Sequence, residues 1–404
     1  MRSLLPAVAT LLFVASLARA AGAQGEVRVS LEEALSAARR AAPDLLVARA
    51  RESVAHADVG VAGVYPNPSV SGATSTAAAK ISGTVSIPLV VLGQRGAAVT
   101  AARAEEATVL VDTQVAWNDI RQATVRAFVA LWLAEGTAEA RRESATIEAT
   151  LESAVVQRVE VGSAPQIDAL RVHAEKLRAD ADVIDADARM AVAGTELGRW
   201  MGLADGSALR AGGATFAPDA PPALSGLLPR LDESAPVRRE QSDVRAAEAR
   251  ADRERAFVRP SMALDLGVDA YDPNVQGTNY RAQLTIDLPL FNQRGPQVQR
   301  EQALADVARA RTRAARVQVA AELTAAFRTF EGASARWHTL ADAVVPAARG
   351  AAKATEEAYT LGRAQLVAVL DAERVLVDAR VSALEAQAAR ASAWSDVEHA
   401  LGAP

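Results

Sequence analysis

Few residues in this chain are of the types and spacings that carry out chemistry. The histidines are scattered, and none has a second histidine four residues away to share a metal on one helix face; they are His56, His173, His338 and His399. Cysteine is absent, which excludes disulfides, thiolate metal sites and cysteine nucleophiles. No nucleophile–base motif, phosphate-binding loop or dinucleotide fingerprint occurs. The sequence therefore predicts no enzyme, no cofactor and no bound metal.

Polar residues of interest lie instead on a segment of alternating hydrophobicity, residues 279–290. Arg281, Gln283 and Asp287 fall on one side of it and apolar residues on the other, a period of two that predicts a strand. The polar side chains either pair across strands or line a wet interior. Residues 261–271 alternate in the same way, and weaker copies lie at 67–74 and 81–90.

Long helices must position these strands. Residues 97–160 form a helix-favouring run of about 64 residues, roughly 95 Å long at 1.5 Å per residue. Gly162 and Pro165 end it, and a second helix is predicted over 166–201. The other predicted helices are 44–64, 237–257, 297–358 and 364–402. Helices this long need lateral partners along their whole length.

Composition agrees with this picture. Of the 404 residues, 50% are hydrophobic but only 4% are aromatic, which favours long helices in close contact over a compact aromatic core. The net charge is −5 with no dense basic run, which argues against a nucleic-acid binder. Residues 1–20 have the features of a secretory signal peptide, with cleavage expected after Ala20 or, at a second site, after Ala23. The sequence therefore predicts an exported protein.

The chain repeats itself at a shift of about 200 residues. Matching segments keep a common order: Ser86-Ile87-Pro88-Leu89 with Asp287-Leu288-Pro289-Leu290, Gln94-Arg95-Gly96 with Gln293-Arg294-Gly295, and Val161-Gly162-Ser163-Ala164 with Leu361-Gly362-Arg363-Ala364. We therefore predict two copies of a helix–hairpin–helix module, at 24–202 and 237–404. The Gly- and Pro-rich residues 203–236 are interpreted as a connector with one short helix.

Four strands per chain leave two interpretations. They form soluble hairpins, or they are membrane strands with one lipid face and one wet face. In lipid, four strands cannot close a barrel and open edges are not tolerated, so several chains must share one. Three chains would supply 12 strands.

The signal, the duplicated module and the two helix-breaking turns resemble the outer-membrane efflux duct (TolC-like) family. Tyr359-Thr360-Leu361-Gly362 followed by Asp371 is similar to the family's second periplasmic turn, and Val161-Gly162 followed by Asp168 to the first. Pro66-Asn67-Pro68 and residues 288–295 resemble the heavy-metal CzcC-type branch. The resemblance implies a mainly α fold with a small membrane β part: a homotrimer with a 12-stranded β-barrel continued by a periplasmic α-helical barrel.

The resemblance also implies partners and site residues. A periplasmic adaptor would dock on the two tip turns, and an inner-membrane pump would supply the energy. Asp371 and Asp168 would line the aperture, with Tyr359 and Arg363 as a gating contact. A further acid of the drug-efflux members is replaced by Ala368, so a second acidic ring is not expected on that ground.

The predicted function is the outer-membrane exit duct of a tripartite (RND-type) efflux system, conducting heavy-metal cations through the outer membrane of a Gram-negative bacterium. Within the same family, a duct for drugs or for type I protein secretion is the alternative. A soluble periplasmic coiled-coil adaptor or scaffold is the alternative from another class.

Overall fold

The computed structural model describes residues 26–75, 80–206, 208–213, 217–271 and 277–402, so the predicted signal peptide at 1–20 lies outside the described residues. The described chain is mostly helical with a small strand content, which confirms the predicted mainly α fold with a small β part. The helices are α1 (Leu31–Ala41), α2 (Pro43–Ala62), α3 (Gln94–Glu160), α4 (Gln166–Trp200), α5 (Leu224–Leu227), α6 (Ala235–Ala256), α7 (Gly295–Thr339), α8 (Val345–Thr360) and α9 (Leu366–Leu401). Within these ranges, no helix has a stretch long and apolar enough to span a bilayer.

Six strands, in two sheets, lie within the described residues. They are β1 (Val27–Ser30), β2 (Ser69–Ser75), β3 (Lys80–Leu89), β4 (Leu209–Gly212), β5 (Ser261–Ala270) and β6 (Asn279–Asp287). β1 and β4 pair in parallel, and the other four form an antiparallel sheet in the order β2-β3-β5-β6. This larger sheet corresponds to the segments whose alternation predicted strands. β6 is shorter than the predicted 279–290, since it ends at Asp287, opposite Ser261 where its neighbour β5 begins.

The chain divides into two compact units. The unit called here the tip unit comprises the described residues within Met1–Leu46, Ala116–Arg230 and Ala320–Pro404, and the sheet unit those within Val47–Val115 and Leu231–Val319. The tip unit is packed around fully buried apolar side chains of α3 and α4, among them Phe128, Leu131 and Leu197.

The tip unit contains a part of the chain that was interpreted as a connector. Residues 203–236 were expected to form little more than a short helix, but β4 lies there, with Leu209 opposite Val27 of β1. Leu209 and Val29 are buried in the same core as the long helices. Arg390 of α9 also donates a hydrogen bond of 2.8 Å to the carbonyl of Pro218. The described residues of this segment up to Arg230 therefore belong to this unit, where they contact its helices, and are not a free linker.

The second long helix also differs from the expectation. In place of one helix over 297–358, α7 and α8 are joined by a π-helical turn at Leu340–Val344. Pro346, the second residue of α8, has no N–H for an intrahelical hydrogen bond, and such a turn accommodates the missing donor. The corresponding position in α3 is Thr146, and that helix runs without a break from Gln94 to Glu160.

In the sheet unit, the repeated Gln-Arg-Gly motif closes the base of each hairpin. The guanidinium of Arg95 lies 4.4 Å from the ring centre of Tyr65, which follows α2. The guanidinium of Arg294 lies 5.0 Å from the ring centre of Phe257, which follows α6. Each arginine thus ties the start of a long helix to the end of the helix that precedes the hairpin, and cation–π attraction stabilises both contacts.

Candidate functional site: the tip turns and the amphipathic sheet

The two predicted tip turns have the same backbone geometry. Gly162 and Gly362 adopt left-handed φ values of +72° and +70°. In each turn the N–H after the glycine donates a hydrogen bond of 2.8 Å to the carbonyl five residues earlier, that of Arg158 or Ala358. This is the glycine-terminated Schellman motif, which satisfies the last carbonyls of a helix and lets the chain reverse. The repeat seen in the sequence is therefore a repeat of structure at the turns.

Both turns present apolar side chains to solvent. Val161 is 77% exposed and Leu361 67% exposed, while Ala164 and Ala364 are half-buried in each case. Ile167 and Leu170, in the first turns of α4, are also exposed. Exposed apolar side chains grouped at a helix end are typical of a contact surface for another protein.

Beneath the turns, the four helix ends pack on one another. Val155 of α3, Val172 of α4, and Leu366 and Leu370 of α9 form a buried cluster against which Tyr359 of α8 packs. The cluster fixes the two turns as parts of one packed unit.

The predicted gating contact has a different cation from the one expected. The resemblance paired Tyr359 with Arg363, but the guanidinium that lies over the Tyr359 ring, 4.8 Å from its centre, is that of Arg158. Arg363 is exposed in the turn itself. The physical reason is position: Arg158 is in the last turn of α3, whose end packs beside the end of α8. Sequence reasoning did not single out Arg158, since its counterpart in the repeat is Ala358.

The two acids proposed for the aperture occupy different positions on their helices. Asp168 is half-buried in the first turn of α4, where the helix dipole favours a negative charge. Asp371 is exposed on α9, beyond the first turn of that helix. At the shift of 200, the counterpart of Asp168 is Ala368 and that of Asp371 is Arg171. Each module thus contributes one of the two proposed aperture acids, and the two acids lie at different distances along the chain from their turns.

In the sheet unit, the four-stranded sheet has one continuous apolar face. Cross-strand partners on it include Val85 with Leu266 and Leu264 with Leu284. Side chains of this face that are exposed in the chain are Val70, Ile81, Val85, Leu266, Val268, Tyr280, Leu284 and Ile286. An apolar sheet face left open to solvent is unusual in a soluble monomer and marks an interaction or membrane surface.

The opposite face of the sheet is polar. Asp265 accepts a hydrogen bond of 2.6 Å from Thr285, and Asp287 one of 2.8 Å from Ser261. Arg281 forms an ion pair of 3.4 Å with Asp269.

The residues predicted to face a lumen, Arg281, Gln283 and Asp287, thus share this face, and Gln283 lies opposite Asp265. β5 and β6 therefore place three carboxylates and one arginine on it. Throughout the part of the chain that the structure describes, no group of three or more His, Cys, Asp or Glu is arranged to hold a metal.

Comparison with known proteins points to one family. Residues 230–403, which include the second turn and both β5 and β6, match the family model described as outer membrane efflux protein. This part of the chain is therefore similar to the outer membrane efflux proteins, as the sequence resemblance predicted. The first module, which that match does not cover, repeats the turn geometry of the second.

Members of this family and similar folds were found across nearly the whole chain. A curated protein of Cupriavidus metallidurans, the cobalt-zinc-cadmium resistance protein CzcC, is 25% identical over 383 residues, or 93% of this chain and 90% of that protein. The outer membrane protein VceC of Vibrio cholerae is 18% identical with a TM-score of 0.74, covering 92% of this chain and 96% of that one. A CusC structure is 18% identical with a TM-score of 0.67, covering 93% and 92%.

These comparisons confirm several predictions. The match to the outer membrane efflux protein model and the outer-membrane channels among the similar structures agree with the family resemblance, the non-enzymatic role and the outer-membrane location that the sequence predicted. The structures at 18% identity establish the fold that this chain shares with them.

Proposed function

We propose that this protein is an outer membrane efflux protein, one subunit of a homotrimeric duct that conducts metal cations out of the cell. The observation that carries the proposal is the amphipathic four-stranded sheet, whose outer strands β2 and β6 each have only one neighbour within the described chain. The periplasmic adaptor and the inner-membrane pump of an RND-type system are the proposed partners.

The edges of the sheet support the trimer. An apolar face in contact with lipid requires every backbone N–H and C=O beside it to be hydrogen-bonded, so an open edge is costly there. If β6 of one subunit pairs with β2 of the next, three subunits complete a closed ring of 12 strands. In that arrangement the apolar face points outwards and the polar face lines the lumen.

The charge of the polar face supports a cationic substrate. On β5 and β6, Asp265, Asp269 and Asp287 against Arg281 give these two strands a net charge of −2 on that face per subunit. In three subunits these strands would bring about −6 to one lumen, and a ring of carboxylates attracts cations and repels anions. Asp371 would add one carboxylate per subunit in the helical portion. The name of the curated relative, a cobalt-zinc-cadmium resistance protein, points to the same class of substrate.

The tip turns support docking of an adaptor. Val161-Gly162-Ser163-Ala164 and Leu361-Gly362-Arg363-Ala364 place exposed apolar side chains on two turns of equal geometry. A partner with two similar pockets would match this duplicated surface.

Sensitivity of a deletion strain tests the proposed substrate. We expect loss of the gene to raise sensitivity to cobalt, zinc or cadmium salts, with no change towards organic drugs, and the wild-type gene to restore growth. Sensitivity to drugs without any sensitivity to metals would contradict the proposed cationic substrate, but it would not contradict the proposed role as a duct.

A further inference from the structure

The tip unit contains a carboxyl group that the proposed function does not use. Glu148 lies on α3, only 8% exposed, and its Oε2 atom has no hydrogen-bond partner among the described residues. It borders a pocket of about 130 Å³ that is lined by residues of α3, α4 and α9. A buried carboxylate oxygen without a partner is strongly disfavoured, because it has lost water and gained nothing in return.

None of the charged groups around Glu148 forms a hydrogen bond with its buried Oε2 atom. Those that line the pocket or act on Glu148 are Arg141 of α3, Glu175, Arg178 and Asp182 of α4, and Glu373, Arg374 and Asp378 of α9. Arg374 forms an ion pair of 3.2 Å with Glu175, and Arg141 lies 3.5 Å from Asp182 and 3.8 Å from Asp378. These two arginines are thus engaged with other acids.

Burial, the largest cause, together with the negative charges of Glu175 and Glu373 raises the pKa of Glu148 to about 7, with Arg374 acting in the opposite direction. Burial also raises the pKa of Glu373, with Glu356 acting in the same direction and Arg380 against it. Glu148 therefore gains and loses its proton around neutral pH.

We propose that Glu148 is a proton-operated latch of the tip unit. As a neutral acid it packs between α4 and α9. As an anion it repels the carboxylates of both helices and loosens their contact with α3. This inference goes beyond the proposed function and does not depend on it. In a duct, such a latch would make the mobility of the tip respond to periplasmic pH.

The direction of the pH effect follows from linkage. The pKa of this group in the folded chain is above its ordinary value of 4.5, so the folded form holds the proton more tightly than an opened form does. The contribution of protonated Glu148 to the stability of the folded tip unit is complete below about pH 4.5. It falls as the pH rises towards 7 and stays low above that. Between pH 5.5 and pH 8, an opening that exposes Glu148 to water should become up to about 25-fold more frequent.

Hydrogen–deuterium exchange of the purified full-length protein in detergent tests this. Exchange in residues 145–157 and 366–378, corrected for intrinsic rates, is expected to rise with a midpoint near pH 7, while residues 300–315 of the sheet unit serve as the internal reference. Glu148→Gln, which is neutral at every pH, should abolish the rise. Glu139→Gln, at an exposed acid on the same helix, should leave it unchanged.

Glu175→Gln provides a second test if Glu148→Gln does not fold. Removing that neighbouring charge should move the midpoint to lower pH without abolishing the transition. A wild-type profile that is flat between pH 5.5 and 8, or a rise that persists in Glu148→Gln, would overturn the proposal.

Discussion

The guanidinium of Arg158 lies over the ring of Tyr359, 4.8 Å from its centre, and joins the end of α3 to the end of α8. The two residues are 201 positions apart in sequence and belong to different modules. This contact connects the two helix-turn tips of one chain directly.

Removing the cation should loosen the second tip. A cation–π contact at a partly exposed site contributes about 0.5–1 kcal/mol, so Arg158→Ala should raise hydrogen exchange in residues 359–366 by about 2- to 5-fold. Tyr359→Phe keeps the ring and should behave like the wild type. Arg363→Ala is the matched control and should have no such effect. If Arg363→Ala loosens the tip and Arg158→Ala does not, the contact assigned here is not the important one.

The two turn glycines should be equally sensitive to substitution. Because both have φ near +70°, Gly162→Ala and Gly362→Ala should each lower the free energy of unfolding by about 1–2 kcal/mol. Gly350→Ala, in the exposed interior of α8 with open space around the added carbon, should raise it by about 0.5–1 kcal/mol. Denaturant titration followed by circular dichroism measures all three. Unequal costs at the two turns would show that they differ in structure.

Ion preference should depend on the acids of the sheet. Asp265→Asn combined with Asp287→Asn removes two negative charges per subunit and leaves the Arg281–Asp269 ion pair in place. We expect the reversal potential of the reconstituted protein in a salt gradient to move from cation preference towards none. Asp306→Asn, at an acid on α7 outside the sheet, should leave it unchanged. A reversal potential that is the same in the double variant and the wild type would show that the sheet acids do not determine ion selectivity.

Much of this architecture could be predicted from local sequence patterns. The turns were visible because a glycine in a left-handed conformation ends a helix, and the same four-residue pattern occurs twice. Strands β3, β5 and β6 were visible because their apolar residues alternate. The side of β6 that carries Arg281, Gln283 and Asp287 followed from the same alternation, since side chains of a strand point to opposite faces in turn.

What could not be predicted depends on contacts between distant parts of the chain. β1 and β4 are only four residues each, too short to show a period, and they become strands by pairing with each other. Arg158 and Glu148 look like ordinary charged residues of a long helix. Their roles appear only once it is known that α8 lies beside Arg158 and that α4 and α9 cover Glu148.

Disulfide crosslinking of neighbouring subunits tests the shared barrel most directly. Because the chain has no native cysteine, only the introduced cysteines can form a crosslink. Gln283→Cys on β6 is combined in turn with Ser69→Cys, Ser71→Cys or Ala73→Cys on β2, all on the polar face. We expect one of these pairs, oxidised in outer membranes, to give crosslinked dimers and trimers and nothing larger. The single variants should stay uncrosslinked. If no pair gives a crosslink and the purified protein has the native mass of a single chain, the sheet is not completed by identical neighbours and the duct is contradicted.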